Sequence, residues 1–118
     1  MARMGRPEAG PGRVVIPLAG TLDLTSLKGL RDELDDVIDR FPHSDLVLEL
    51  SGVDFIDSSG LGLLLGRFRR LDGLGRSLKL IGVRAPVEKV LRLSGFHGIM
   101  DVEPLPRASG PEGKPMGL

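Results

Sequence analysis

Cysteine, tryptophan and tyrosine are all absent from the chain, and histidine occurs only at His43 and His97. Without thiolates, the usual zinc sites, catalytic thiols and disulfides are excluded. A histidine-assisted serine hydrolase would have to use His43 or His97, and neither stands in a nucleophile-elbow context. Aromatic residues make up 3% of the 118 residues, too few for the stacking platforms of single-strand binders. There is also no charge excess: 16 Lys and Arg balance 16 Asp and Glu. Nucleic-acid and anionic-membrane binders need surplus cations to neutralise phosphates, so neither partner is expected. The opening MARMGRPEAG has no apolar core, and no apolar run nears the roughly 18 residues of a membrane span, so a cytoplasmic protein is expected.

What is present suits one small domain, large enough to bury a core without staples. Its zero net charge is unevenly made. Between Asp23 and Asp57 ten acids meet three bases, a net of −7, whereas between Arg67 and Arg92 eight bases meet two acids, a net of +6.

Residues 1–12 and 104–118 are rich in Gly and Pro without hydrophobic period and read as flexible tails around a domain at 13–103. Val14 to Ala19 is a β-rich run ended by Gly20, and Pro17 places part of it at a sheet edge or a bulge. Leu27, Leu30, Leu34, Val37, Ile38 and Phe41 recur at helical spacing, predicting a helix started by Thr25 or Ser26 and stopped before Pro42. Leu46 to Leu50 reads as a strand and Ser51 to Asp57 as a loop. A second helix follows, with Leu61, Leu64, Leu65, Phe68 and Leu71 as its core stripe. Leu78 to Val83 is another strand, Pro86 opens a third helix carrying Val87, Val90 and Leu91, and Ile99 to Glu103 can add a last strand. This alternation predicts an α/β fold with a mostly parallel sheet of four to five strands and helices packed on it. Functional loops in such sheets sit at the strands' carboxyl ends, which selects Gly20 to Thr25 and Ser51 to Ser58.

The run Asp57-Ser58-Ser59-Gly60-Leu61-Gly62 passes from loop into helix. Asp57 or Ser58 can cap that helix, with the glycines permitting a tight turn. The same geometry suits phosphorylation: free backbone N–H groups and the positive helix end favour a phosphate dianion on an exposed serine. Gly60, Gly62 and Gly66 form G-x-G-x-x-x-G rather than the dinucleotide fingerprint, and no phosphate-binding G-x-x-x-x-G-K-[ST] occurs. No cofactor is expected, and the chain should be neither a kinase nor any other enzyme.

Taken together, G20-T-L-D-L-T25, LVLELSGVDFIDSSGLG with the following GRFRRL, and LIGVRAPVEKVLRLSGF resemble the anti-sigma factor antagonists, single STAS domains, most closely the sporulation type. The resemblance implies that Ser58, the first serine after the aspartate, is phosphorylated by a cognate anti-sigma factor that is an ATP-dependent serine kinase. It further implies that a metal-dependent serine phosphatase reverses the modification, and that the unphosphorylated form binds the kinase, in its ATP- or ADP-bound state, and frees a sigma factor. Ser59 is the alternative acceptor, and a non-catalytic STAS scaffold in a stress-signalling or lipid-transport assembly is the alternative function. The family opens with a strand just before Val14, whereas Arg3-Met4-Gly5-Arg6-Pro7 is polar and broken by proline, so that strand is expected to be poorly formed here.

On a helical wheel Leu63 falls opposite the core stripe, near Gly62, Gly66 and Arg70. It reads either as an isolated exposed leucine or as part of a flat partner surface. The expected partner footprint comprises Gly20, Leu22, Asp23, Asp57, Ser58, Ser59, Gly60, Leu61, Gly62, Leu63, Gly66 and Arg70, on a chain expected to be monomeric. Asp23 either bonds its own loop or meets a basic partner residue, making an acidic rim with Asp54 and Asp57.

Overall fold

The computed structural model describes residues 2–106. Short strands β1 (Arg3–Met4) and β2 (Glu8–Gly10) precede β3 (Arg13–Leu22), α1 (Leu30–Arg40), β4 (Asp45–Ile56) and α2 (Ser58–Gly73). There follow β5 (Leu78–Val83), α3 (Ala85–Leu93), a single 3-10 turn at Phe96–Gly98 and β6 (Asp101–Pro104). Strands β3, β4, β5 and β6 lie side by side in that order and run parallel. Period-2 alternation sends Val14, Ile16 and Leu18 of β3, Leu46, Leu48 and Leu50 of β4, and Leu78 and Leu80 of β5 into the core. Leu34, Val37 and Ile38 of α1, Leu64 and Leu71 of α2, and Val87 and Leu91 of α3 join them in one continuous cluster.

The N-terminal residues depart from the tail expected of them. Both β1 and β2 pair antiparallel with β3, so the sheet has six strands rather than four or five. The pairing needs only backbone donors and acceptors, which a polar sequence supplies as well as an apolar one. The two strands act as one interrupted edge: Pro7 falls in the gap, where Gly5 N–H donates to Pro17 O at 2.7 Å. Strand β3 is therefore interior, not at an edge, and Pro17 is accommodated at an irregularity in the β3–β4 ladder between Pro17 and Ala19. At the other end, Pro104 belongs to β6 and Leu105 N–H donates to Val83 O at 2.7 Å, while residues 107–118 of the expected tail lie outside the described residues.

Two helix assignments also shift. Helix α1 starts at Leu30 with Gly29, φ 84°, at its cap position, not at Thr25 or Ser26, whose hydroxyls are held by Asp23 instead. Along α2 the buried residues are Gly60, Leu63, Leu64, Arg67 and Leu71, whereas Leu61, Leu65 and Phe68 are half-buried. At 100° per residue the buried face lies about 80° from the stripe read off the sequence. Leucines at 61, 63, 64 and 65 surround the helix, so hydrophobicity alone leaves its rotation undetermined; packing against α1 as well as the sheet draws in Leu63 and Arg67.

Helix α2 comes close against the sheet at Gly60. A Cβ there would overlap the Leu22 carbonyl oxygen and stand 2.7 Å from Ile56 Cγ1, whereas a Cβ at Gly62 would meet nothing within 4 Å. The two glycines should respond oppositely to alanine. Gly60→Ala is expected to destabilise by about 1–3 kcal/mol through overpacking, and Gly62→Ala to stabilise by about 0.5–1 kcal/mol through helix propensity. Chemical unfolding of both variants measures this; equal effects would show that α2 is not seated on β3 through Gly60. Leu63→Ala, buried rather than surface-lying, is expected to cost about 2–4 kcal/mol in the same assay.

Candidate functional site

Two connections meet at the carboxyl end of the parallel strands: the β3–α1 loop, residues 23–29, and the β4–α2 corner at Asp57. Strand β4 runs to Ile56, so the segment 51–56 is strand and not the loop expected from its sequence. Asp57 then turns the chain directly into α2. Its backbone is extended, at φ −115° and ψ −170°, and its Oδ1 accepts from Ser59 N at 2.8 Å and Gly60 N at 3.1 Å. This is side-chain capping of two first-turn donors. The other carboxylate oxygen, Oδ2, accepts from Leu24 N at 3.3 Å, and Asp57 N donates to Leu22 O at 3.1 Å. One aspartate thus fixes both loops.

The β3–α1 loop is organised around Asp23. Its Oδ1 accepts from Thr25 N at 3.1 Å, Thr25 Oγ1 at 2.9 Å and Ser26 Oγ at 2.8 Å. The Ser26 hydroxyl, then the Thr25 hydroxyl, hold the Asp23 carboxyl below its ordinary value because both bonds favour the charged form. Asp23 is therefore committed to its own loop. Gly20, at φ 98°, permits the β3 irregularity between Gly20 and Thr21.

The expected footprint divides on inspection. Ser58 is exposed, and no hydrogen bond to its hydroxyl occurs among the described residues; Ser59 is half-buried. Leu22 is fully buried, Leu63 is buried apart from its edge on the groove between α1 and α2, and Gly60 is buried and has no side chain to present. Leu61 is half-buried against the core. Arg70 is half-buried and faces α1: Nη1 lies 3.2 Å from Asp35 Oδ1 and Nη2 pairs with Asp39. Asp39 and Asp35 hold Arg70 above its ordinary value through those bonds. Of the first-turn N–H groups expected to favour a phosphate, those of Ser59 and Gly60 are already taken by Asp57, one of the two caps expected.

Three features escaped the sequence reading. Leu24 and Phe55, 76% and 52% exposed, are large apolar side chains in the two segments that flank Asp57. A leucine in an otherwise polar loop was the available signal for the first; continuing β4 to Ile56 would have flagged the second. The third is a groove of about 390 Å³ between α1 and α2, lined by Leu27, Arg31, Ser59, Gly62, Gly66 and Arg67, with Leu63 at its wall. It reaches Ser59 and not Ser58. The histidines lie apart from this end: His43 is exposed beyond α1, and His97 Nε2 is 3.0 Å from Glu88 Oε2. Among the described residues no cluster of three His, Asp or Glu is placed to hold a metal, and no helix is long and apolar enough to cross a membrane.

Loss of the cap should be measurable. Asp57→Ala is expected to lower unfolding free energy by about 1 kcal/mol and to raise hydrogen exchange at the Leu24 and Ser59 amides; exchange unchanged at Leu24 would show that the link between the loops is not made. Asp23 carries a pH signature. Its folded-state value is depressed, so its contribution is complete above the ordinary 3.8 and is lost as pH falls through the lower folded value. The Thr25 amide resonance should titrate with a midpoint below 3.8, and Asp23→Asn should remove that titration.

The STAS domain profile matches residues 6–107. The chain is 34% identical over 91 residues to an anti-sigma F factor antagonist of Paenibacillus polymyxa, covering 77% of this chain and 78% of that one. It is 29% identical over 89 residues to the anti-sigma-B factor antagonist of Bacillus subtilis, covering 75% and 80%. Among solved structures it is similar to the anti-sigma factor antagonist SpoIIAA in its unphosphorylated form, with TM-score 0.69, 29% identity and coverage of 85% and 87%. The Bacillus cell fate determinant SpoIIAA in its phosphorylated form gives TM-score 0.61, 26% identity and coverage of 86% and 90%. Fold, motif and relatives agree, and the chain belongs to the STAS domain family, among the anti-sigma factor antagonists.

Proposed function

We propose that this protein is a binding switch in which unphosphorylated chain engages an anti-sigma factor serine/threonine kinase, releasing the sigma factor, and phosphate on Ser58 ends the engagement until a serine phosphatase removes it. The observation that carries this reading is the placement of Ser58: exposed, in the first turn of α2, with no hydroxyl partner among the described residues. A kinase can reach such a hydroxyl without unfolding anything, and the modified side chain can remain outside the core. Ser59 is a poorer acceptor, being half-buried and turned toward the α1–α2 groove. That a related antagonist is described in both phosphorylated and unphosphorylated forms supports the same reading.

The docking face combines apolar and acidic elements. Leu24 and Phe55 give exposed apolar area at the strand ends, while Asp23 and Asp54 make the rim acidic. Gly62, exposed and without a side chain, leaves room for a partner backbone. Complementary basic residues on the kinase would steer encounter. Phosphate adds about −1.5 to −2 charge and bulk at this rim. Losing about 3 kcal/mol of binding would weaken the complex more than a hundredfold, enough for release. No chemistry is required of the chain itself: it acts as substrate and ligand in the cytoplasm.

Ser58→Ala is expected to bind the kinase and remain unmodified, while Ser58→Asp binds at least tenfold more weakly with unchanged unfolding. Calorimetric titration with the kinase and mass spectrometry after incubation with ATP provide the two readouts. Phosphate appearing on Ser58→Ala would move the acceptor to Ser59; wild-type chain that neither binds nor is modified would support the scaffold function instead.

A further inference from the structure

Strand β4 is laddered on both sides only in its lower half. It pairs with β5 from Leu46 to Glu49, where Glu49 stands opposite Ile81, and no pairing with β5 follows. Against β3 the register shifts at the same level: Pro17 is opposite Glu49 and Ala19 opposite Gly52, so β4 carries one residue more than β3 across this step. Ser51 has no register partner in either neighbouring strand. The part above it pairs with β3 alone, through a second shift between Gly20 and Thr21, and leads straight into Asp57 and Ser58. The segment that carries the functional corner is thus more weakly laddered than the rest of its strand, and local opening starts in such places.

Side chains replace the missing ladder. Ser51 N–H donates to Glu49 Oε2 at 3.2 Å, and the Ser51 hydroxyl donates to Glu49 Oε1 at 2.9 Å. From the next crossover Arg84, at the cap position of α3, donates through Nε to Ser51 O at 2.6 Å. Both backbone groups of the extra residue are therefore satisfied, one by a carboxylate and one by a guanidinium. Gly82 makes room for this arrangement: its φ is 64°, and a Cβ there would overlap Glu49 Oε2. Glu49, Ser51, Gly82 and Arg84 all lie outside the hydrophobic core cluster, so the fold does not need them for its packing.

We propose that Glu49 and Arg84 are positioning residues for the docking corner: they pin Ser51, and through it they fix where Phe55, Asp57 and Ser58 stand. Neither residue has to touch the partner. A corner held in place before docking binds at a lower entropic cost than one that must be ordered on contact, so the pins act on affinity through the chain's own order. The effect on affinity rests on the switch function proposed above, whereas the effect on the chain itself does not and can be read without a kinase.

Amide hydrogen exchange of the full chain, followed by NMR, and calorimetric titration with the kinase test this together. Glu49→Ala and Arg84→Ala are each expected to speed exchange at the Ser51 and Asp57 amides about fivefold, the worth of one hydrogen bond, and to weaken kinase binding about fivefold. The Leu46 amide, which donates to Ser77 O in the doubly laddered half, should exchange as in wild type. Glu49→Gln keeps an acceptor for Ser51 N–H and should match wild type in both readouts, whereas Gly82→Ala should reproduce Glu49→Ala by displacing the carboxylate. Exchange at Asp57 that is unchanged in both alanine variants, or that rises equally at Leu46, overturns the proposal. So does kinase affinity that stays at its wild-type value while exchange at Asp57 rises. Should Glu49→Ala not fold, the surface variant Arg84→Ala decides. A wild-type chain that does not bind the kinase overturns the switch instead, and the exchange rates still decide whether the corner is pinned.

Discussion

Everything at the functional end of this molecule hangs on the carboxylate of Asp57. Its Oδ1 satisfies two donors of the first turn of α2, and its Oδ2 reaches the backbone of Leu24 in a different loop. The adjacent backbone bond from Asp57 N to Leu22 O aligns the corner with the end of β3. Gly60 then brings α2 so close to Leu22 that a side chain there would collide with the backbone. Helix start, loop position and serine exposure are consequences of one capped corner. Asn, Ser or Thr could cap a helix as well, but only Asp brings a carboxylate beside Ser58. A phosphate added at Ser58, as proposed, would stand next to an existing charge rather than at a neutral site.

The two charge blocks seen in the sequence acquire a different meaning in three dimensions. They suggest a chain divided into an acidic and a basic half with Ser58 at the boundary. In the fold much of that opposition is internal: Asp35 and Asp39 on α1 meet Arg67 and Arg70 on α2. Farther down, Arg76 donates to the carbonyls of Ser44 at 2.7 Å, Phe41 at 2.8 Å and Ile38 at 3.3 Å, closing the exposed end of α1. The basic residues after Ser58 therefore clamp the acidic helix before it, and exposed pairs among them contribute little individually.

The parts of this architecture that were legible in the sequence are those set by short-range patterns. Alternation in Val14 to Leu18 and Leu46 to Leu50, the position of Pro86, and the Asp57-Ser58-Ser59-Gly60 run all act within a few residues. Of the misplaced features, the pairing of β1 and the rotation of α2 depend on partners distant in the chain, whereas the hairpin of β2 with β3 and the start of α1 turn on local competition. β1 and β2 exist because β3 offers them an edge, not because Arg3, Met4 or Glu8 favours a strand. The rotation of α2 follows from contact with α1, which a wheel ringed by leucines does not specify. α1 begins late because Asp23 holds Thr25 and Ser26 in its own loop, competing with their use as caps. Arg67 in a buried stripe was invisible for the opposite reason: nothing in the sequence marks a charged residue as core.

A switch built on such a corner need not move its fold. The first-turn N–H groups of Ser59 and Gly60, which in another helix would draw a phosphate inward, already donate to Asp57. A phosphate on Ser58 is therefore denied the inward pull of those donors and meets the repulsion of the neighbouring carboxylate, while the helix dipole favours it from behind. Under the proposed switch, that balance would leave the dianion projecting into the space of the docking partner. On the proposed function, stability of the domain and affinity for the partner would be separable: the core cluster beneath α2 sets the first, and the charge and volume at one exposed serine would set the second.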